Sequence, residues 1–222
     1  MRWIEKLSDR CRVKVRETFL NPILGIWRMK KLKNPRFTII SNNCWAGHVY
    51  RYFNLPYYTP TVGLYFFTDD YIRFLSNLKV YLSMDLKFIP AASSKYFEEL
   101  KIRNEINRPI GLLGDVEIIF LHYKSEEEAL LKWNRRRDRI HWNNLVVKMT
   151  EQNLCQLESL RQFDNLPFEK KIVFTSKDYG LKSQVVFGDY FGKGEVLNDT
   201  LHFRKYVNLI KLINGEIDFR RN

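Results

Sequence analysis

No apolar run in this 222-residue chain approaches the roughly 18 residues of a membrane span, so none of it reads as a transmembrane helix. The amino terminus, MRWIEKLSDRCRVK, has no apolar stretch of the kind a secretory signal carries. Cysteine is scarce. Cys11, Cys44 and Cys155 form no CxxC and cannot all pair with one another, which points to a reducing compartment and away from structural zinc. The expected location is therefore cytoplasmic, peripheral at the inner face of the cell membrane. There are four histidines but no HExxH, no Cys/His cluster, no GxGxxG and no P-loop. Gly188–Glu195, "GDYFGKGE", lacks the spacing and the Ser/Thr of a phosphate loop and reads as an ordinary loop. No metal and no tightly bound cofactor is expected.

What the chain has is apolar and aromatic material, at 45% and 15% of its residues, enough for one α/β domain with a sizeable core. Its net charge of +12 is uneven. Residues 1–34 hold ten Lys/Arg against three Asp/Glu, a net of +7, which leaves +5 for the other 188. Positions 3–29 place apolar residues among the basic ones, as amphipathic helical pieces interrupted near Asn21-Pro22 would. Such a segment suits an anionic membrane surface, or is simply a solvated basic helix. The expected division is a basic amphipathic segment over 1–34 and a single α/β domain over 35–222.

Strand and helix signals alternate from there. Strands are expected at Arg36–Ile40, Thr61–Phe67, Lys87–Ile89, Val116–His122, Leu145–Met149, Ile172–Thr175 and Gln184–Phe187. Helices are expected between them, the last running from a cap at Asn198 or Asp199 to about Ile213. This alternation implies a mostly parallel sheet with helices on both faces. Ligands of such sheets bind beyond the carboxyl ends of the strands.

That rule singles out Ser41-Asn42-Asn43-Cys44, which follow the first strand and open a helix. A cysteine there sits at the positive end of the helix dipole, which favours thiolate. The Asn42 or Asn43 amide and nearby N–H groups would then steady an oxyanion. His48, one turn on, shares the face of Cys44 and could serve as base. The alternative is a capped corner, since Asn is a common helix cap and a small thiol packs well in a turn. His122 closes the Val116–His122 strand and is a second candidate base, or else a histidine satisfied at a strand terminus. The next helix carries Glu126–Glu128 early and Lys132, Arg135, Arg136, Arg137 and Arg139 late. The helix dipole explains that order, yet Lys132, Arg135, Arg136 and Arg139 also make a candidate site for a phosphate or acidic ligand. Asp115 and Glu117 open the strand that ends at His122 and belong to its opposite edge.

"IISNNCWAGHVYRYFNLPYYTPTVGLYFF", "IGLLGDVEIIFLHYKSEEEALLKWNRR" and "LPFEKKIVFTSK" together resemble the bacterial domain-of-unknown-function 1919 family, over about residues 36–190. Its members are often labelled exopolysaccharide biosynthesis proteins. The resemblance implies an α/β fold and a setting in surface-polysaccharide assembly. The Asn-Cys strand end is also similar to that of a capsule-associated acetyltransferase group with a modified esterase-type fold. The expectation is a cytoplasmic transferase, an O-acyltransferase acting on a sugar or lipid-linked glycan, with acyl-CoA as co-substrate and no specific nucleic acid. In that reading Cys44 is nucleophile or oxyanion-site residue and His122 or His48 the base. A glycosyltransferase with Asp69, Asp70 or Asp115 and Glu117 around a metal is the alternative. A non-catalytic membrane- or RNA-binding module is a third.

Overall fold

The computed structural model describes residues 15–217, so Cys11 and the first part of the basic segment lie outside the described residues. A π-helical turn, Arg16–Leu20, leads directly into α1, Asn21–Met29, with Pro22 in its first turn where proline lacks no bond. Four strands then form a wholly parallel sheet in the order β1 (Thr38–Ser41), β5 (Leu145–Thr150), β6 (Lys170–Thr175), β7 (Gln184–Val186). A separate antiparallel sheet is built from β2 (Lys87–Ile89), β3 (Ile110–Leu113) and β4 (Val116–Ile119). The helices that matter to the site are α2 (Trp45–Phe53), which follows β1, α3 (Thr68–Ser76), and α6 (Glu126–Arg137), which follows β4.

Strand alternation sorts the core into layers. Ile40, Val147 and Val173 face one side of the parallel sheet, against Phe74, Trp133 and Phe163. Ile39, Val146 and Ile172 face the other, against Trp45, Phe187 and Phe203. The sheet is thus covered on both faces, as buried parallel strands require.

Three expected elements change, and β3 is a strand beyond those expected. Val116–His122 stops at Ile119 and lies in the antiparallel sheet. Thr61–Phe67 is not a strand. It is an irregular strap whose one bridge is antiparallel, Tyr65 to Ile119. It ties the two sheets together, because Phe66 N–H donates to Asn42 O (3.0 Å) and the Thr61 hydroxyl accepts from Ser41 N–H (3.1 Å). The buried Tyr71 hydroxyl of α3 adds to this tie between neighbouring strands, contacting Ile40 O and Lys148 O. The last helix is also not continuous. It is two short pieces, α8 (Phe203–Tyr206) and α9 (Leu209–Asn214), and Asp199 caps neither. Asp199 is instead pulled inward to a buried lysine.

Among the described residues no helix is long and apolar enough to cross a membrane.

Candidate functional site

α2 starts one residue after Cys44, which sits at its N-cap in helical geometry. Positions 44, 47, 48 and 51 therefore share one helical face, three, four and seven residues apart. All four line a cavity of about 320 Å³, together with Tyr57, Val62, Gly63, His122, Tyr123, Lys132 and Arg136. Cys44, His48, His122, Lys132 and Arg136 are so brought to one place from three separate stretches of chain.

His122 arrives by a different route from the one expected. β4 stops at Ile119 and belongs to the antiparallel sheet, so His122 does not end a parallel strand. It is carried to the cavity by a short turn, where its N–H donates to Gly63 O (3.0 Å). Gly63 needs its lack of a side chain. Its φ is +76°, and a Cβ there would lie 3.0 Å from the Tyr123 ring.

The cationic side is built by α6 and α2. The arginine run splits by helical phase: Arg136 is buried, whereas Arg135 and Arg139 face solvent and do not line the cavity. Arg136 donates to the Tyr123 hydroxyl (2.6 Å), which itself donates to Val62 O (2.5 Å). Its guanidinium lies 5.0 Å from the Tyr57 ring centre. Lys132 is paired with Glu128 (2.5 Å) on the same helix, which Ser125 caps through the Glu128 N–H. Arg51, which the sequence reading passed over, donates from Nε to the Tyr57 hydroxyl (3.1 Å). The spacing of seven from Cys44 was the signal for it. Among the described residues no carboxylate lines the cavity, and its cationic lining side chains are Arg51, Lys132 and Arg136, with Lys132 offset by its pair with Glu128.

The titration of the two central groups follows from this setting. Burial, then the cations Arg108 and Arg51 and the neighbouring His48, lower the pKa of His122 from its ordinary 6.5. It is neutral at pH 7 and able to accept a proton. Cys44 behaves contrary to expectation. Burial, reinforced by Asp199, raises its thiol to about 11, outweighing a backbone hydrogen bond from Gly63 and the charges of Lys148 and Arg51. Roughly one molecule in ten thousand would carry the thiolate at pH 7. Burial thus opposes the thiolate that the helix N-terminus was expected to favour.

The expected oxyanion donors are committed elsewhere too. Asn42 imitates a strand residue toward Thr150: its amide donates to Thr150 O (3.0 Å) and its carbonyl accepts from Thr150 N–H (3.0 Å). Asn43 accepts from Lys148 Nζ (2.9 Å), from the Ser41 hydroxyl (3.1 Å) and from Trp45 N–H (3.1 Å), and donates to Asp199 (2.9 Å). Lys148 and Asp199 form a fully buried ion pair, and Thr150 also donates to Asp199 (2.5 Å). Ser41, Asn42 and Asn43 are not among the residues that line the cavity; they hold the strand ends of β1 and β5 together.

The carboxylates of the metal-dependent alternative are each taken by protein donors. Asp70 meets Lys95 Nζ (2.6 Å) and Glu117 N–H (2.7 Å). Glu117 accepts from the Ser94 hydroxyl (2.5 Å) and Lys95 N–H (3.0 Å). Asp115 pairs with Arg73 (2.9 Å) and the Tyr81 hydroxyl (2.7 Å), and Asp69 accepts from the Ser159 hydroxyl (3.4 Å). Their places in these ion pairs and helix ties explain them structurally.

The profile of a domain of unknown function, DUF1919, matches residues 15–216. A Haemophilus influenzae protein, described as an uncharacterized protein, is 33% identical over 174 residues, 78% of each chain. The matched span takes in α1, both sheets and every residue that lines the cavity; the chain belongs to the DUF1919 family.

Proposed function

We propose that this chain is a transferase of cell-surface polysaccharide assembly that moves an acyl group from acyl-CoA to a sugar hydroxyl in the cavity between α2 and α6. One observation carries the reading: neutral His122 shares a half-open cavity with Arg51, Lys132 and Arg136, and among the described residues no carboxylate lines it. The polysaccharide setting comes from the family resemblance, and the chemistry from the cavity.

Arg51, Lys132 and Arg136 suit the phosphates of the donor. His122 takes the proton of the acceptor hydroxyl as its oxygen forms a bond to the thioester carbonyl. The tetrahedral intermediate collapses with loss of the CoA thiolate, and the imidazolium returns its proton to that sulfur. With its thiol protonated, Cys44 takes no covalent part, and transfer is direct. His48, one helical turn from Cys44, contributes to the lining.

Acetyl transfer to a panel of sugar acceptors tests this. His122→Ala should lower kcat by at least about a hundredfold, whereas Cys44→Ala should keep most activity. Loss of all activity in Cys44→Ala with His122→Ala still active would overturn the direct mechanism. The same positive cavity also suits the diphosphate of a nucleotide sugar. A thermal shift with UDP-sugars but none with acetyl-CoA would move the assignment to a metal-independent glycosyltransferase.

A further inference from the structure

α1 is turned inside out. A helix on the surface of a globular protein buries its apolar stripe and shows its polar one. Here the residues turned inward are Asn21, Gly25 and Arg28. Arg28 donates to Asn21 (2.8 Å) and to Tyr52 O (2.8 Å), and its guanidinium stacks 3.9 Å over the Tyr52 ring. Gly25 permits the close seat on α2, since a Cβ there would lie 2.7 Å from Asn54 Cβ and 2.8 Å from Phe53 O. The outward side of α1 carries Ile23, Leu24, Ile26 and Trp27, and the π-helical turn before it adds Phe19 and Leu20, each between 40% and 73% exposed.

A second feature adjoins that face. A groove of about 560 Å³ runs between α1 and the α8–α9 stretch, lined by Trp27, Lys31, Tyr52, Arg204, Lys205 and Tyr206. Among the described residues no carboxylate lines it. Lys31 Nζ lies 3.4 Å above the Trp27 ring, Arg204 lies 5.4 Å from the Tyr52 ring centre, and Lys205 reaches Asp189 at 3.1 Å. Lys30 and Lys33 flank the same helix end, Lys33 in an exposed pair with Glu216 (2.9 Å). Apolar side chains with an aromatic at the margin, next to a cationic groove, match the two zones of an anionic bilayer surface: acyl chains and phosphate headgroups. A parallel pairing of α1 with a second copy would set Lys30, Lys31 and Arg204 against like charge.

We infer that α1 and the π-helical turn before it lie in the surface of an anionic membrane, their Phe19–Trp27 face among the acyl chains and the Lys31–Arg204 groove on a lipid phosphate. This would place the protein beside membrane-bound acceptors, but the inference does not depend on the proposed reaction.

Flotation of the full chain with vesicles tests it. Binding should be at least tenfold stronger to vesicles of phosphatidylcholine with phosphatidylglycerol than to phosphatidylcholine alone, and should fall with salt. Ile23→Glu with Trp27→Glu, both exposed, should abolish it. Lys31→Gln with Arg204→Gln should weaken it about tenfold or more. Circular dichroism of each variant establishes that the fold is intact, and each pair of changes serves as a check on the other. No flotation, or flotation unchanged in both variants, would overturn the inference. So would a concentration-dependent dimer that the Ile23→Glu/Trp27→Glu change abolishes, which would assign the face to a second copy.

Discussion

At the scale of single residues, Cys44 is the instructive case. A helix N-terminus and a nearby lysine favour thiolate, but desolvation and the carboxylate of Asp199 outweigh them and hold the thiol near 11. Alkylation of Cys44 by iodoacetamide in the folded protein should therefore be slow at pH 8 and rise only as pH nears 11. A midpoint below the ordinary thiol value would restore the covalent route. His122 shifts in the opposite sense. Because its pKa is lowered by burial and by Arg108, Arg51 and His48, the acid limb of kcat/KM should fall below pH 6.5. Arg51→Gln should move that limb upward, and an unchanged limb would remove Arg51 from the field on His122. The sequence made Cys44, His48 and His122 legible through the strand-end rule and helical spacing. It could not reveal that Asn42 and Asn43 are used up by Thr150, Lys148 and Asp199, partners more than 100 residues away along the chain. Lys148 did leave a signal: a charged residue in the middle of the Leu145–Met149 run must find a buried counter-charge.

At the scale of elements, the alternation of strands and helices was readable because parallel strands buried on both faces write a continuous apolar run. The antiparallel β2–β3–β4 sheet was not separable from it. Its strands are three or four residues long, too short for a period to declare which sheet they join. The strap at Thr61–Phe67 misled for a related reason. It is as apolar as a strand because it is buried, but its hydrogen bonds go to β1, to the loop after it and to Ile119. Gly63 is the point where this strap meets the site. Gly63→Ala forces a side chain into a left-handed backbone, costing about 1–2 kcal/mol, and presses on Tyr123 and His122. Urea unfolding should register that loss, and acetyl transfer should fall further than stability does. An alanine variant with wild-type stability and activity would show that the strap is not tightly set.

At the scale of the whole molecule, the Lys148–Asp199 pair fastens the C-terminal stretch onto the strand ends. Burial opposes the charge on Asp199, but Lys148 and the donors Asn43 and Thr150 outweigh it and keep the carboxyl below its ordinary value. Burial pulls Lys148 down to about 8 in spite of Asp199, so both groups are charged at neutral pH. Removing one partner strands the other in a buried site, a loss of about 3–5 kcal/mol for Lys148→Met or Asp199→Leu alone. The two changes together should cost less than their sum, because neither charge is then left alone. The pH dependence has a definite sign. A carboxyl whose folded pKa is depressed binds fewer protons folded than unfolded, so its stabilisation is complete above the unfolded value of about 4. It is lost as pH falls through the folded one. The wild-type stability curve should therefore bend downward below about pH 4. Asp199→Asn, less stable at pH 7, should run flatter through that same range. Parallel curves for the two proteins would mean that the acid limb belongs to other carboxylates, and that Asp199 is neutralised by its neighbours at no gain to the fold.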